Sequence, residues 1–136
     1  MDVELKMLVA SALLGVAQAF PQLVAVTWYG GIGVAVGNRD DVPELPPWAG
    51  RATRAHQNLL ANLVPFTALV LVAHQTGLSN EDTAWGAALF FWSRLAYAVI
   101  YIAGVPYLRT IAFVASLFGM LDIALVLVSS WGGTAP

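Results

Sequence analysis

Arg51-Ala-Thr-Arg54-Ala-His56-Gln-Asn58-Leu-Leu-Ala61-Asn62-Leu-Val64-Pro65-Phe66 sets basic and amide side chains along a segment that then runs on as apolar chain. A second stretch does the same: Arg94-Leu-Ala-Tyr97-Ala-Val-Ile-Tyr101, followed by Gly104-Val-Pro106-Tyr107-Leu-Arg109-Thr110. Such groups are costly in hydrocarbon, so they face a protein interior or a wet cavity and mark functional sites. At about 100° per residue, Arg51, Arg54, Asn58 and Asn62 share one narrow face of a helix. Arg94, Tyr97 and Tyr101 share another. Arg109 and Thr110 open the segment that follows. Together they predict a cationic, tyrosine-lined pocket with almost no acidic counter-charge, suited to an anionic guest with an apolar partner.

The rest of the chain supplies the setting. Of its 136 residues 59% are hydrophobic and 10% charged, against about 25% charged in soluble domains. This is the composition of an all-α, multi-pass integral membrane protein, and one domain accounts for the length. A net charge of −2 gives no electrostatic footprint for nucleic acid. The absence of cysteine excludes disulfides, thiolate metal sites and a cysteine nucleophile. His56 and His74 lack a carboxylate pattern, so no metal site is expected.

A crossing needs about 20 residues, and four segments meet that: roughly 5–36, 52–77, 82–104 and 107–131. The uncharged run from Met7 to Asn38 is too long for a signal h-region, and Asp2 and Glu4 spoil a basic n-region. Its length requires tilt, a kink at Pro21 or projection beyond the bilayer. Pro43, Pro46 and Pro47 end the first span, while Gly77, a Ser79 N-cap and Glu81-Asp82 separate the second from the third. Gly104-Val105-Pro106 makes the last two spans an antiparallel pair. Arg39, Arg51, Arg54 and Arg109 flank the first and third connections, and Lys6 alone argues the other way. The positive-inside rule therefore puts those connections in the cytoplasm and both termini outside it. Thr134-Ala135-Pro136 carries no retention signal, which favours a bacterial plasma membrane over endoplasmic reticulum.

The pattern RAxRAHxNxxxNLVPF at 51–66, with RLAYxxxYxxGxxxLRT at 94–110, resembles the MAPEG family, the membrane-associated proteins in eicosanoid and glutathione metabolism. The resemblance covers about residues 50–125. It implies a four-helix subunit in a homotrimer, with glutathione bound between subunits near the cytoplasmic side. It also implies transferase or peroxidase chemistry on a lipophilic electrophile or hydroperoxide that arrives from the bilayer. Carried over by motif, Arg54 and Asn58 with Arg51 beside them, and Tyr97, would hold glutathione. Arg109 would stabilise its thiolate, assisted by Tyr101 and Thr110. Many relatives carry a glutamate three residues after the asparagine to fix glutathione's amino group; here that position is Ala61.

Plainer readings stand beside these. Arg51 can snorkel to the headgroups, Asn62 can bond across helices, and both tyrosines can be interfacial aromatics. Arg94, in mid-membrane, calls for a partner, and Asp122 at similar estimated depth is the acidic residue within a span. An ion pair between them is expected. Two other functions remain open: a membrane protein that binds a lipophilic ligand without catalysis, favoured by Ala61, and a small arginine-lined channel.

Overall fold

Leucine-, valine- and alanine-rich runs of this length form helices because no water is present to satisfy an open backbone, and the computed structural model, which describes residues 1–133, is built that way. Its elements are α1 (Val3–Gly30), α2 (Ile32–Val36), α3 (Pro47–Gln75), α4 (Glu81–Ala103), α5 (Pro106–Ser129) and a closing 3₁₀ turn (Ser130–Gly132). The tail Thr134-Ala135-Pro136, read above for a retention signal, lies outside the described residues. Four helices are long and apolar enough to cross a membrane.

The first span, expected as one helix to about residue 36, is divided. Gly31 adopts φ 83°, a left-handed conformation that glycine tolerates and other residues resist, and α2 begins anew beyond it. The second span starts at Pro47, not near residue 52 as expected, because a proline at the first helical position costs no hydrogen bond. Helices α1 and α3 continue through Pro21 and Pro65. At the end of α3, Gly77 takes φ 69°, and Leu78 N–H donates to Ala73 O at 2.9 Å, closing a Schellman turn. The N-cap of α4 is Asn80, not Ser79: Asn80 Oδ1 accepts from Thr83 N–H at 3.0 Å while Thr83 Oγ1 accepts from Asn80 N–H at 2.8 Å.

Helix α4 packs most closely against α5, and α3 and α4 each also contact α1. Two glycines permit the α4–α5 approach. A Cβ on Gly86 would stand 2.6 Å from Gly119 O, and one on Gly119 would stand 2.5 Å from Gly86 O. Between α3 and α4 the rings of Phe66 and Phe90 stack with centroids 3.9 Å apart, in a core completed by Leu59, Val70, Met120, Ile123 and Leu127. The buried Glu4 of α1 accepts a hydrogen bond from Thr83 Oγ1 in the first turn of α4, where the helix dipole favours a carboxylate. At the same end His74 Nδ1 lies 3.2 Å from Asp2 Oδ2. The opposite end gathers the α2–α3 and α4–α5 connections and, with them, most of the arginines.

Candidate functional site

Arg51 and Arg54 occupy the second turn of α3, Tyr97 and Tyr101 the last two turns of α4, and Arg109 the first turn of α5. The break at Gly104 brings these three helix ends together. Gly104 has φ 85°, and its N–H donates to Ile100 O at 3.1 Å, so α4 stops at Ala103 and α5 starts at Pro106, with only Gly104 and Val105 between them. A side chain at Gly104 would also meet Arg51, whose Cζ would lie 3.3 Å from the added Cβ.

Arg51 Nε donates to Ile102 O at 3.1 Å, so its cation caps the C-terminal end of α4, where the helix dipole favours positive charge. Arg54 Nε donates to the Tyr101 hydroxyl at 2.9 Å. The guanidinium of Arg109 lies over the same ring, Cζ 4.5 Å from its centroid, while Arg109 Nε donates to Pro106 O at 3.3 Å. Tyr101, 9% exposed, is therefore clasped by two cations from different helices. These side chains with Gly104, Val105 and Pro106 line a cavity of about 190 Å³. The last three are contributions that the motif reading missed; the glycine–proline break was their only signal.

The remaining candidates sit elsewhere. Tyr97 is one turn deeper, its ring 5.5 Å from that of Tyr101 and 6.3 Å from Phe113, and it does not line the cavity. Asn58 is deeper still and is engaged: Arg94 Nη2 donates to its carbonyl at 2.9 Å and to its Oδ1 at 2.7 Å. Thr110 is exposed on α5 and faces outside the cavity lining. Ala61 is exposed on α3, also apart from the cavity.

Two expectations are corrected. Arg94 and Asp122 do not pair among the described residues. Asp122 lies level with Gly86, whose added Cβ would be 3.2 Å from Asp122 Cβ. Arg94 is eight residues further along α4, about 12 Å away by helix rise; counting from predicted helix ends erased that offset. Arg94, only 1% exposed, instead combines Asn58 with the faces of Tyr97, Phe113 and Phe90, whose centroids are 5.1, 5.5 and 5.8 Å from Cζ. Asn62 does not bond across helices either: its Nδ2 donates to Asn58 O of its own helix at 2.8 Å. His56 points away from the cavity, as its helical phase required, into an apolar groove of about 460 Å³ between α1 and α3.

The profile of the MAPEG family matches residues 6–129, nearly the whole chain. The chain belongs to the MAPEG family. No individually curated protein matches it. As a MAPEG protein with four apolar crossings it is an integral, multi-pass membrane protein of a family concerned with glutathione and eicosanoid metabolism, whose members generally use glutathione. The family match covers α1, for which the sequence motifs had no counterpart, as well as the arginine-bearing helices.

Proposed function

We propose that this MAPEG protein is a glutathione-dependent transferase or peroxidase acting on a lipophilic substrate, with its thiol site at the basic end of the bundle. The observation that carries the reading is the clasp of Tyr101 by Arg54 and Arg109 at the mouth of a cavity containing three arginines. Carboxylates of the tripeptide suit Arg51 and Arg54, since guanidinium forks match carboxylates. Arg109 supplies the cation beside the sulfur. A free thiol has a pKa near 8.5, a neighbouring positive charge favours the thiolate, and the thiolate is the nucleophile. The Tyr101 hydroxyl, whose oxygen is held by Arg54, has its own proton to donate to that sulfur. In transfer, the thiolate lone pair forms a carbon–sulfur bond as the electrophile's leaving bond breaks.

A homotrimer with the site between subunits is part of this proposal. The cavity is smaller than the roughly 300–1,000 Å³ of ordinary small-molecule sites, which fits a half-site that a neighbour completes. On α3 the exposed residues Arg54, Gln57, Ala61, Val64, Ala68 and Leu71 recur at alternating steps of three and four, the spacing of a helix–helix seam. Gln57 in that stripe favours protein over lipid as its neighbour. With the basic connections placed in the cytoplasm by their charge, glutathione would arrive from the cytosol and the co-substrate sideways through the bilayer.

The test is a glutathione titration of the detergent-solubilised protein, read by thiolate absorbance in the ultraviolet, with Arg109→Ala beside it. A saturable signal lost in the variant is expected. Binding of glutathione with an undiminished thiolate signal in Arg109→Ala would remove the arginine from this role. A second reading, a non-catalytic binder of a lipophilic ligand, is favoured by the apolar α1–α3 groove, in which His56 Nδ1 is buried without a hydrogen-bond partner. Saturable lipid binding with no thiolate signal from a folded protein would select it.

A further inference from the structure

The three arginines at the cavity are aimed by the same atom. Arg51 Nε donates to Ile102 O, Arg54 Nε to the Tyr101 hydroxyl and Arg109 Nε to Pro106 O, at 3.1, 2.9 and 3.3 Å. Each anchor lies within one subunit, so the aim does not depend on a neighbour. Among the described residues the paired Nη groups of Arg51 and Arg54 make no hydrogen bond, and no carboxylate pairs with any of the three arginines. Two oriented guanidinium forks therefore border a space of about 190 Å³, and Arg109 adds a third charge beside them.

The size of that space bears on what fills it. It is below the roughly 300–1,000 Å³ of ordinary small-molecule sites, yet it has room for one compact anion. A carboxylate has two oxygens and is saturated by a single fork. A terminal phosphate has three, carries a charge of about −1.5 to −2 at neutral pH, and can accept from both forks while facing the third cation. The level in the membrane suits a phosphate too. Gly104, Val105 and Pro106 line the cavity at the α4–α5 connection, and Tyr107 beside them is 84% exposed, an aromatic at headgroup depth.

We propose that this cavity is a phosphate site, taking a terminal phosphate between the forks of Arg51 and Arg54 with Arg109 as the third charge. Two sources share that chemistry: inorganic phosphate or a soluble phosphomonoester, and the headgroup of a lipid such as phosphatidic acid. The inference goes beyond the glutathione reading, since it uses the same arginines and needs no thiol.

Calorimetric titration of the full-length protein in neutral detergent tests this, with inorganic phosphate and, at matched ionic strength, acetate. The protein is titrated as assembled, so any group that a neighbour contributes is included. Phosphate is expected to saturate and to bind at least about tenfold more tightly than acetate, the worth of one further charge-assisted hydrogen bond. Equal affinities, or no phosphate binding by the folded protein, overturn the inference. Arg54→Lys keeps the charge and removes the fork. Phosphate binding about tenfold weaker is expected from it; undiminished affinity overturns the inference. A separate glutathione titration keeps the two readings apart. Glutathione binding without phosphate binding sinks the phosphate site alone, and phosphate binding without glutathione binding sinks the glutathione reading alone. Nanodiscs separate the sources. A phosphate titration weakened several-fold in discs of phosphatidic acid, against discs of phosphatidylglycerol, assigns the lipid headgroup; equal titrations assign a soluble phosphate.

Discussion

Arg94 holds both the backbone and side-chain oxygens of Asn58, at 2.9 and 2.7 Å, and so ties α4 to α3 in the middle of the bundle. A guanidinium 1% exposed has no other hydrogen-bond partner among the described residues, and the aromatic faces of Tyr97, Phe113 and Phe90 pack around it. Its partner is a neutral amide, so the charge is solvated and not neutralised.

Removing that amide leaves the cation with the backbone carbonyl alone. Asn58→Leu is expected to destabilise the bundle by about 1.5–3 kcal/mol, the worth of a hydrogen bond to a charged group. Asp122→Asn, by contrast, should leave the melting temperature close to that of the parent. Thermal unfolding of both variants in the same detergent checks the pair; an equal loss from Asp122→Asn would restore the ion pair that the structure lacks.

Tyr101→Phe removes the oxygen that orients Arg54 but keeps the ring under Arg109. Stability should change by no more than about 1 kcal/mol, the net worth of one hydrogen bond. Glutathione affinity and the thiolate signal should fall, by about tenfold. Retention of both at parental levels would make Tyr101 a packing residue.

Gly86→Ala probes the closest helix approach. Its methyl group would press on Gly119 O from 2.6 Å, which is backbone and cannot turn aside. A loss of about 1–3 kcal/mol is expected from such overpacking. The same substitution at Gly33, where an added Cβ meets nothing within 4 Å, should be close to neutral. Paired melts decide whether contact, and not helix propensity, sets the difference.

Much of the architecture could be read directly. Twenty-residue apolar runs, Gly77, Gly104 and the proline-rich connection are local signals, and they place the spans because membrane helices satisfy their own backbone. The division at Gly31 was less legible, since several glycines crowd there and only one takes positive φ. At the site, Arg51, Arg54, Tyr101 and Arg109 were named from the motifs, and the structure brings them to one cavity. Asn58, Tyr97 and Thr110 were named from the same motifs and lie outside its lining.

Sequence alone determined the fold class, the count of crossings, the family and the chemical character of the pocket, because each depends on composition, spacing or motif along one chain. Tertiary structure decided the partnerships. Whether Arg94 meets Asp122 or Asn58 depends on the axial offset of α4 against α5, and that offset is set by Gly86 and Gly119 letting two backbones touch. Which motif residues share the cavity depends on how three helix ends converge around Gly104. Neither quantity has a local signature, since both arise from packing between segments that the sequence describes only one at a time.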